Sequence, residues 1–197
     1  LAPLDVSKSL QILKSSLQIE GLPQIVRPQS REDAPRRSLS AITGFDRQPL
    51  HTDQAHIAKP AQFVLLECLE GGDNPCATEI LIPDLESLKV NPPPVLTHPG
   101  WIANRGPNRR FYCQILAKSN EGTWRLRFDP GCMKNPSIEN SIELAAEVLE
   151  SGATHNSVVL NTGDWLIIDN WRALHGRGKG ANFAKNRRLR RSYWGIR

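Results

Sequence analysis

The stretch QPLHTDQAH, residues 48–56, places His51, Asp53 and His56 within six positions. Imidazole nitrogen and carboxylate oxygen both bind divalent transition metals, and residues two apart on a strand project from one face. On a strand, His51 and Asp53 would therefore meet a single ion, while His56 would fall on the opposite face. The same residues also suit a polar surface turn, so the pair alone leaves both readings open. A metal centre needs a third ligand from elsewhere. His175 has the best setting, closing GDWLIIDNWRALHGR (163–177), where an apolar strand runs into a polar turn. His98 and His155 fall in stretches that read as solvent-facing loops.

Two nitrogens and one oxygen on one face of an octahedral ion leave three coordination positions open. Non-haem Fe(II) oxygenases use this arrangement to admit a co-substrate and O2. The elements that must position such a set read mostly as strands. Phe63–Cys68, Thr78–Ile82, Ser157–Leu160, Asp164–Asp169 and Arg188–Trp194 have strand character. RRFYCQIL (109–116) and TWRLRFD (123–129) flank SNEG and read as one hairpin. Helical spacing appears in Val6, Leu10, Leu13 and Leu17, giving an amphipathic helix over about 5–19. It also appears at 84–89 and 141–151. Arg27–Ser40 is polar, with two prolines and no period, and reads as a loop able to act as a lid. Many short strands with few helices predict a mainly β fold, a barrel or sandwich with helices outside.

Composition bounds the class. At 197 residues and 39% hydrophobic content, the sequence predicts one globular domain, residues 1–197. No apolar run is long enough for a membrane span. LAPLDVSKSL lacks a basic stretch followed by an apolar block, so no secretory signal is expected. Cys68, Cys76, Cys113 and Cys132 form no metal-ribbon spacing and read as reduced thiols, which predicts a cytoplasmic protein. The net charge of +5 is a property of the C-terminus: residues 171–197 hold nine Lys/Arg and no acid, leaving 16 cations against 20 acids elsewhere. A basic run such as RRLRR (187–191) either grips nucleic acid or, on a strand, aims guanidinium groups into a pocket where they fork onto a carboxylate.

PLHTDQAH, GGDNPCATEIL, LRFDPGCM, LNTGDWLIIDNWRALHGR and RRLRR, in this order, resemble the taurine dioxygenase and clavaminate synthase-like branch of the Fe(II)/2-oxoglutarate-dependent dioxygenase superfamily. The resemblance covers residues 48–197. It implies a double-stranded β-helix (jelly-roll) catalytic core there, while residues 1–47, read from their own pattern as a helix and a possible lid, match no part of the family pattern. It also implies an Fe(II) cofactor held by His51, Asp53 and His175, with 2-oxoglutarate and O2 as co-substrates. Thr78 and Arg187 match the residues that bind the far carboxylate of 2-oxoglutarate. Arg191, four further on, matches an arginine that lies near substrate or co-substrate. A slip of one residue inside RRLRR would exchange Arg187 for Arg188, which faces the other side of a strand.

The activity so implied is hydroxylation of an unactivated C–H bond, with desaturation or ring closure using the same residues. Halogenation is disfavoured, because Asp53 takes the position a halide needs. A small amino-acid-like or carboxylate-bearing metabolite is the leading substrate. Arg47, two before Pro49 on the face of His51, either meets an anionic substrate group or is simply exposed. Two alternatives stay open: a nucleic-acid demethylase with the same metal chemistry, and a non-catalytic jelly-roll binding module. The intact triad disfavours the second, and a small-molecule partner is favoured over nucleic acid or membrane.

Overall fold

The computed structural model describes residues 17–36, 38–73, 76–104, 106, 109–119, 122–182 and 184–196. Short elements follow one another along the chain. β1 (Leu17–Ile19), β2 (Gln24–Val26) and α1 (Leu39–Thr43) precede β3 (Phe63–Glu70) and β4 (Thr78–Ile82). Next come α2 (Leu85–Val90), α3 (Pro94–Thr97), β5 (Trp101–Asn104), β6 (Arg110–Cys113), β7 (Leu116–Lys118), β8 (Trp124–Leu126) and β9 (Met133–Lys134). α4 (Ser141–Glu150), β10 (Thr154–Val158), β11 (Trp165–Asp169), β12 (Leu174–Arg177) and β13 (Arg188–Ile196) complete the order.

The larger sheet runs β1-β13-β3-β11, with β2 also paired to β13, and every pairing is antiparallel. The smaller sheet, β10-β4-β12, is antiparallel too. Strand alternation explains why the two sheets pack. Val64, Leu66 and Cys68 of β3, Ile168 of β11, and Leu189 and Tyr193 of β13 form one apolar face, and Ile80 and Val158 of the smaller sheet cover it. One residue on, Leu81 and Leu174 point to the other side. There they join Trp101, Leu116, Leu126, Phe128 and Leu149 in a second core. Each fully buried Leu, Val or Phe contributes roughly 1.5–3 kcal/mol. Two facing antiparallel sheets with a cleft between them make a double-stranded β-helix, the jelly-roll fold expected from the sequence.

Several details differ from the sequence reading. Residues 1–16, most of the expected first helix, lie outside the described residues, and its last turn is the strand β1. β1 adds to the edge of β13, where Leu17 is buried beside the sheet and Gln18 and Ile19 are exposed. The expected hairpin over 109–129 is split: β7 and β8 pair around the 119–122 turn, but β6 pairs with β5. The strand expected at 157–160 begins earlier, at Thr154, because its register against β4 runs from Ile82 back to Thr78. His155 thus sits on that strand, exposed, and not in a loop. His98 is half-buried and bonded to Asn135 and to the Gly100 N–H. β5 and β12 are strands that the sequence reading left unassigned, and the segment 27–40 ends in the first turn of α1.

The largest difference concerns the HxD segment, which is not a strand. His51 makes a single antiparallel bridge to His175, and Asp53 opens a turn. Gln54 takes a left-handed backbone conformation (φ 61°), which costs a non-glycine residue roughly 1–2 kcal/mol. Its side-chain oxygen closes the turn by accepting from the Ala61 N–H at 2.8 Å. Strand alternation therefore does not decide between His56 and the other ligands. His56 lines the central cleft but does not join the cluster of His51, Asp53 and His175.

Candidate metal and co-substrate site

β12 supplies His175, and residues 48–51 run antiparallel beside it. Gln48 N–H donates to Arg177 C=O, and His51 and His175 exchange both backbone bonds, each at 2.9 Å. Gly176 allows this approach. A Cβ there would lie 3.0 and 3.1 Å from the carbonyl oxygens of Gln48 and Pro49. The two imidazoles end with centroids 4.8 Å apart, and the carboxylate of Asp53 completes a cluster whose donor atoms all lie within 4.8 Å of one another. His51 Nε2 is 3.6 Å from Asp53 Oδ1, and His175 Nε2 is 3.7 Å from Oδ2. Both separations exceed a hydrogen bond, so three buried donor atoms face a common point without satisfying one another. His51 Nδ1 lies 2.9 Å from Pro49 C=O. Donation there fixes the tautomer that turns the Nε2 lone pair into the cluster, the usual support for a metal-bound imidazole.

Asp53 is held from several sides. Asn170, fully buried at the end of β11, accepts from the Asp53 N–H at 2.7 Å and donates to the carbonyls of Asp53 and Ala61, both at 3.0 Å. Trp171 Nε1 donates to Pro60 C=O, and Arg127 donates to the carbonyls of Ala55, Ile57 and Ala58. The turn after Asp53 is thus pinned along its length by side chains from elsewhere. On the carboxylate itself, Arg191 Nη1 lies 3.1 Å from both oxygens, and the Tyr193 hydroxyl donates to Oδ2 at 3.3 Å. Burial pushes the Asp53 carboxyl up, but Arg191 and the two histidines outweigh it and hold the group well below the usual range. Burial also pushes His51 down, yet Asp53 and Asp129 raise it overall. At His175 burial prevails and the net direction is down.

Arg187 presents the opposite case. It is buried, donates to the Thr78 hydroxyl at 3.0 Å, and leaves its Nε without a partner among the described residues. Burial lowers its pKa, and the acidic groups that act back on it are the thiols of Cys76 and Cys68, not a carboxylate. A buried guanidinium without an acid is costly.

His51, Asp53, His175, Thr78, Arg187 and Arg191 all line one cleft of about 1370 Å³ between the sheets. Along β13 and the residue before it, Arg187, Leu189, Arg191 and Tyr193 turn inward. Arg190 turns outward to Glu67, and Arg188 is exposed at the edge of the cleft, 3.9 Å from Glu70. This alternation puts Arg187, and not Arg188, against Thr78. Arg47 does not line this cleft. It is exposed and borders a separate pocket of about 360 Å³ with Phe128, Ala146 and Glu150, because the chain turns outward before Gln48 joins β12. Asn170 was missed by the sequence reading, and only its place between Asp169 and the turn before His175 hinted at a role.

Solved structures share this fold. Asparagine oxygenase in complex with Fe(II), 2S,3S-3-hydroxyasparagine and succinate aligns at a TM-score of 0.65 and 20% identity, over 89% of this chain and 57% of its own. The non-haem iron oxygenase OrfP, as an aspartate-to-alanine mutant with (3S)-hydroxy-L-Arg, aligns at 0.69 and 22% identity, over 96% and 66%. OrfP with Fe and alpha-ketoglutaric acid aligns at 0.61 and 21% identity, over 88% and 56%. The chain thus spans 56–66% of the length of these neighbours. What it shares with them is the double-stranded β-helix of the non-haem iron oxygenases. Neither a protein-family model nor a curated protein sequence matches it.

Proposed function

We propose that this chain is the catalytic core of an Fe(II)- and 2-oxoglutarate-dependent oxygenase that hydroxylates an unactivated C–H bond of a small amino-acid-like metabolite. One observation carries the proposal: a buried guanidinium without an acid, Arg187, shares a cleft with three buried donor atoms that face a common point. A metal ion alone would answer the second feature and not the first. A dianionic keto acid bound beside the metal answers both.

In this reading His51, Asp53 and His175 hold Fe(II), and Arg187 with Thr78 receives the far carboxylate of 2-oxoglutarate. Iron held there would, with O2, supply the chemistry that inserts one oxygen atom into the substrate C–H bond, the other oxygen atom passing to 2-oxoglutarate, which leaves as succinate and CO2. The protein's own part is geometric. Asn170 fixes the backbone of Asp53, Arg191 and Tyr193 orient its carboxylate, and the inter-sheet cleft limits the approach of water. The neighbours that hold a hydroxylated asparagine and a hydroxylated arginine support an amino-acid-like substrate. A small-molecule reading is supported further by Arg190, which faces outward and lies against Glu67.

The test is aerobic incubation of iron-loaded protein with 2-oxoglutarate and single amino acids, followed by assay of succinate and of product mass. Iron-dependent succinate, with a product heavier by one oxygen atom, is expected. Iron-loaded protein that never converts 2-oxoglutarate would refute the reading.

A further inference from the structure

Among the described residues, the cleft is lined by seven cationic side chains and two acidic ones, Asp53 and Asp129. Three of the cations lie deep. Arg187 faces Thr78, Arg191 faces Asp53, and Arg177 donates to the backbone carbonyls of Gly44 and Asp46. Backbone carbonyls solvate the Arg177 guanidinium without cancelling its charge. The other four, Arg27, Arg36, Lys134 and Arg188, are exposed at the rim. Arg188 has only a long contact to Glu70, 3.9 Å. Arg27, Arg36 and Lys134 make no ion pair with any described residue. Arg27 and Arg36 belong to the segment 27–40, which also lines the cleft through Pro28, Pro35 and Leu39.

Loading the site does not change this balance. A divalent ion adds two positive charges and a dianionic co-substrate adds two negative ones, so the excess of cations persists. A cleft of one sign with low-dielectric walls concentrates ligands of the other sign and repels its own. A cationic side chain such as arginine's would enter against this field.

From this we infer that the substrate carries an anionic group at its far end, an amino acid with a carboxylate or phosphate side chain, received by Arg27 and Arg36 of the rim segment. The inference rests on the oxygenase reading above and narrows it. The neighbouring structures contain hydroxylated derivatives of a neutral and of a cationic amino acid, so the rim of this chain is expected to separate it from both.

The experiment uses protein loaded with Fe(II) and 2-oxoglutarate under anaerobic conditions. L-aspartate, L-glutamate, O-phospho-L-serine, L-asparagine and L-arginine are titrated in turn by calorimetry, at low and at physiological salt. At least one acidic probe is expected to bind more than about tenfold tighter than arginine and asparagine. Its affinity should fall as salt rises, because exposed charges are screened over roughly 8 Å at 0.15 M. The double variant Arg27→Glu/Arg36→Glu should weaken that probe about tenfold. Its affinity for 2-oxoglutarate, measured on the same sample, reports that the deep site is intact. Tighter binding of arginine or asparagine, failure of every acidic probe to bind, or an unchanged affinity in the double variant would each overturn the inference while leaving the oxygenase reading in place. Failure of the protein to bind Fe(II) or 2-oxoglutarate at all would instead remove the reading beneath it.

Discussion

Arg187 and Arg191 lie four residues apart and face the same cleft, yet the fold treats them differently. Arg191 has its acid already, with Nη1 3.1 Å from both oxygens of Asp53 and Nη2 on Gln24. Arg187 has only a threonine hydroxyl and no acid among the described residues, while its Nε, like that of Arg191, is unpartnered. The first belongs to a preorganised region in which the Asp53 backbone, carboxylate and following turn are all held by other side chains. The second belongs to a region left incomplete by the protein itself. Preorganisation costs nothing further at the moment of binding, and an unpartnered buried cation is relieved by the ligand that binds it. On the function proposed above, the contrast separates a residue that supports the site from one that would receive what enters it.

Removing a metal donor should break the comparison most completely. His175→Ala leaves two donors for the ion, and we expect stoichiometric Fe(II) binding, measured by metal analysis after desalting, to be lost together with all succinate formation. Retention of both would remove His175 from the site. Next in size is Arg187→Met. The variant takes an unpaired buried charge out of the protein, so the thermal midpoint of the ligand-free form should stay level or rise, while 2-oxoglutarate affinity falls by about a hundredfold or more. The same change at Arg191 should act in reverse. Arg191→Met strands a buried carboxylate, and the metal-free protein should lose about 2–3 kcal/mol in denaturant unfolding. Added Fe(II) should recover part of that loss, because the ion then neutralises Asp53. A smaller effect is expected from Gly176→Ala, whose added methyl meets two carbonyl oxygens at 3.0–3.1 Å. It should weaken Fe(II) binding several-fold, and an unchanged affinity would show that residues 48–49 can move away from β12 freely.

The difference between these arginines also shows what was legible in the sequence. Alternation in RRLRR could be read directly, and it sets Arg187 and Arg191 on one side and Arg188 and Arg190 on the other. The strands Phe63–Glu70, Thr78–Ile82 and Trp165–Asp169 were legible through a different signal, each being largely an apolar run bounded by turn residues. The local geometry of HTD was not. Its side chains converge through a bridge and a strained turn at Gln54, which depend on Gly176 and Asn170, more than a hundred residues away. No local pattern encodes such contacts. Of the two readings open for Arg47, exposure holds, because the strand face of His51 does not continue back through residues 47–49. β1 was hidden in a helical spacing because an edge pairing with β13 overrode local propensity.

The account depends above all on Arg187 being the receiver of a dianionic keto acid beside the metal. The most direct measurement is anaerobic calorimetry of 2-oxoglutarate into Fe(II)-loaded protein, run in parallel on the unaltered chain and on Arg187→Met, with acetate as a monocarboxylate control. One equivalent of 2-oxoglutarate should bind to the unaltered chain, with an affinity at least about a hundredfold above that of the variant and acetate indifferent to the substitution. Equal binding of 2-oxoglutarate by the two proteins, with iron present in both, would contradict it.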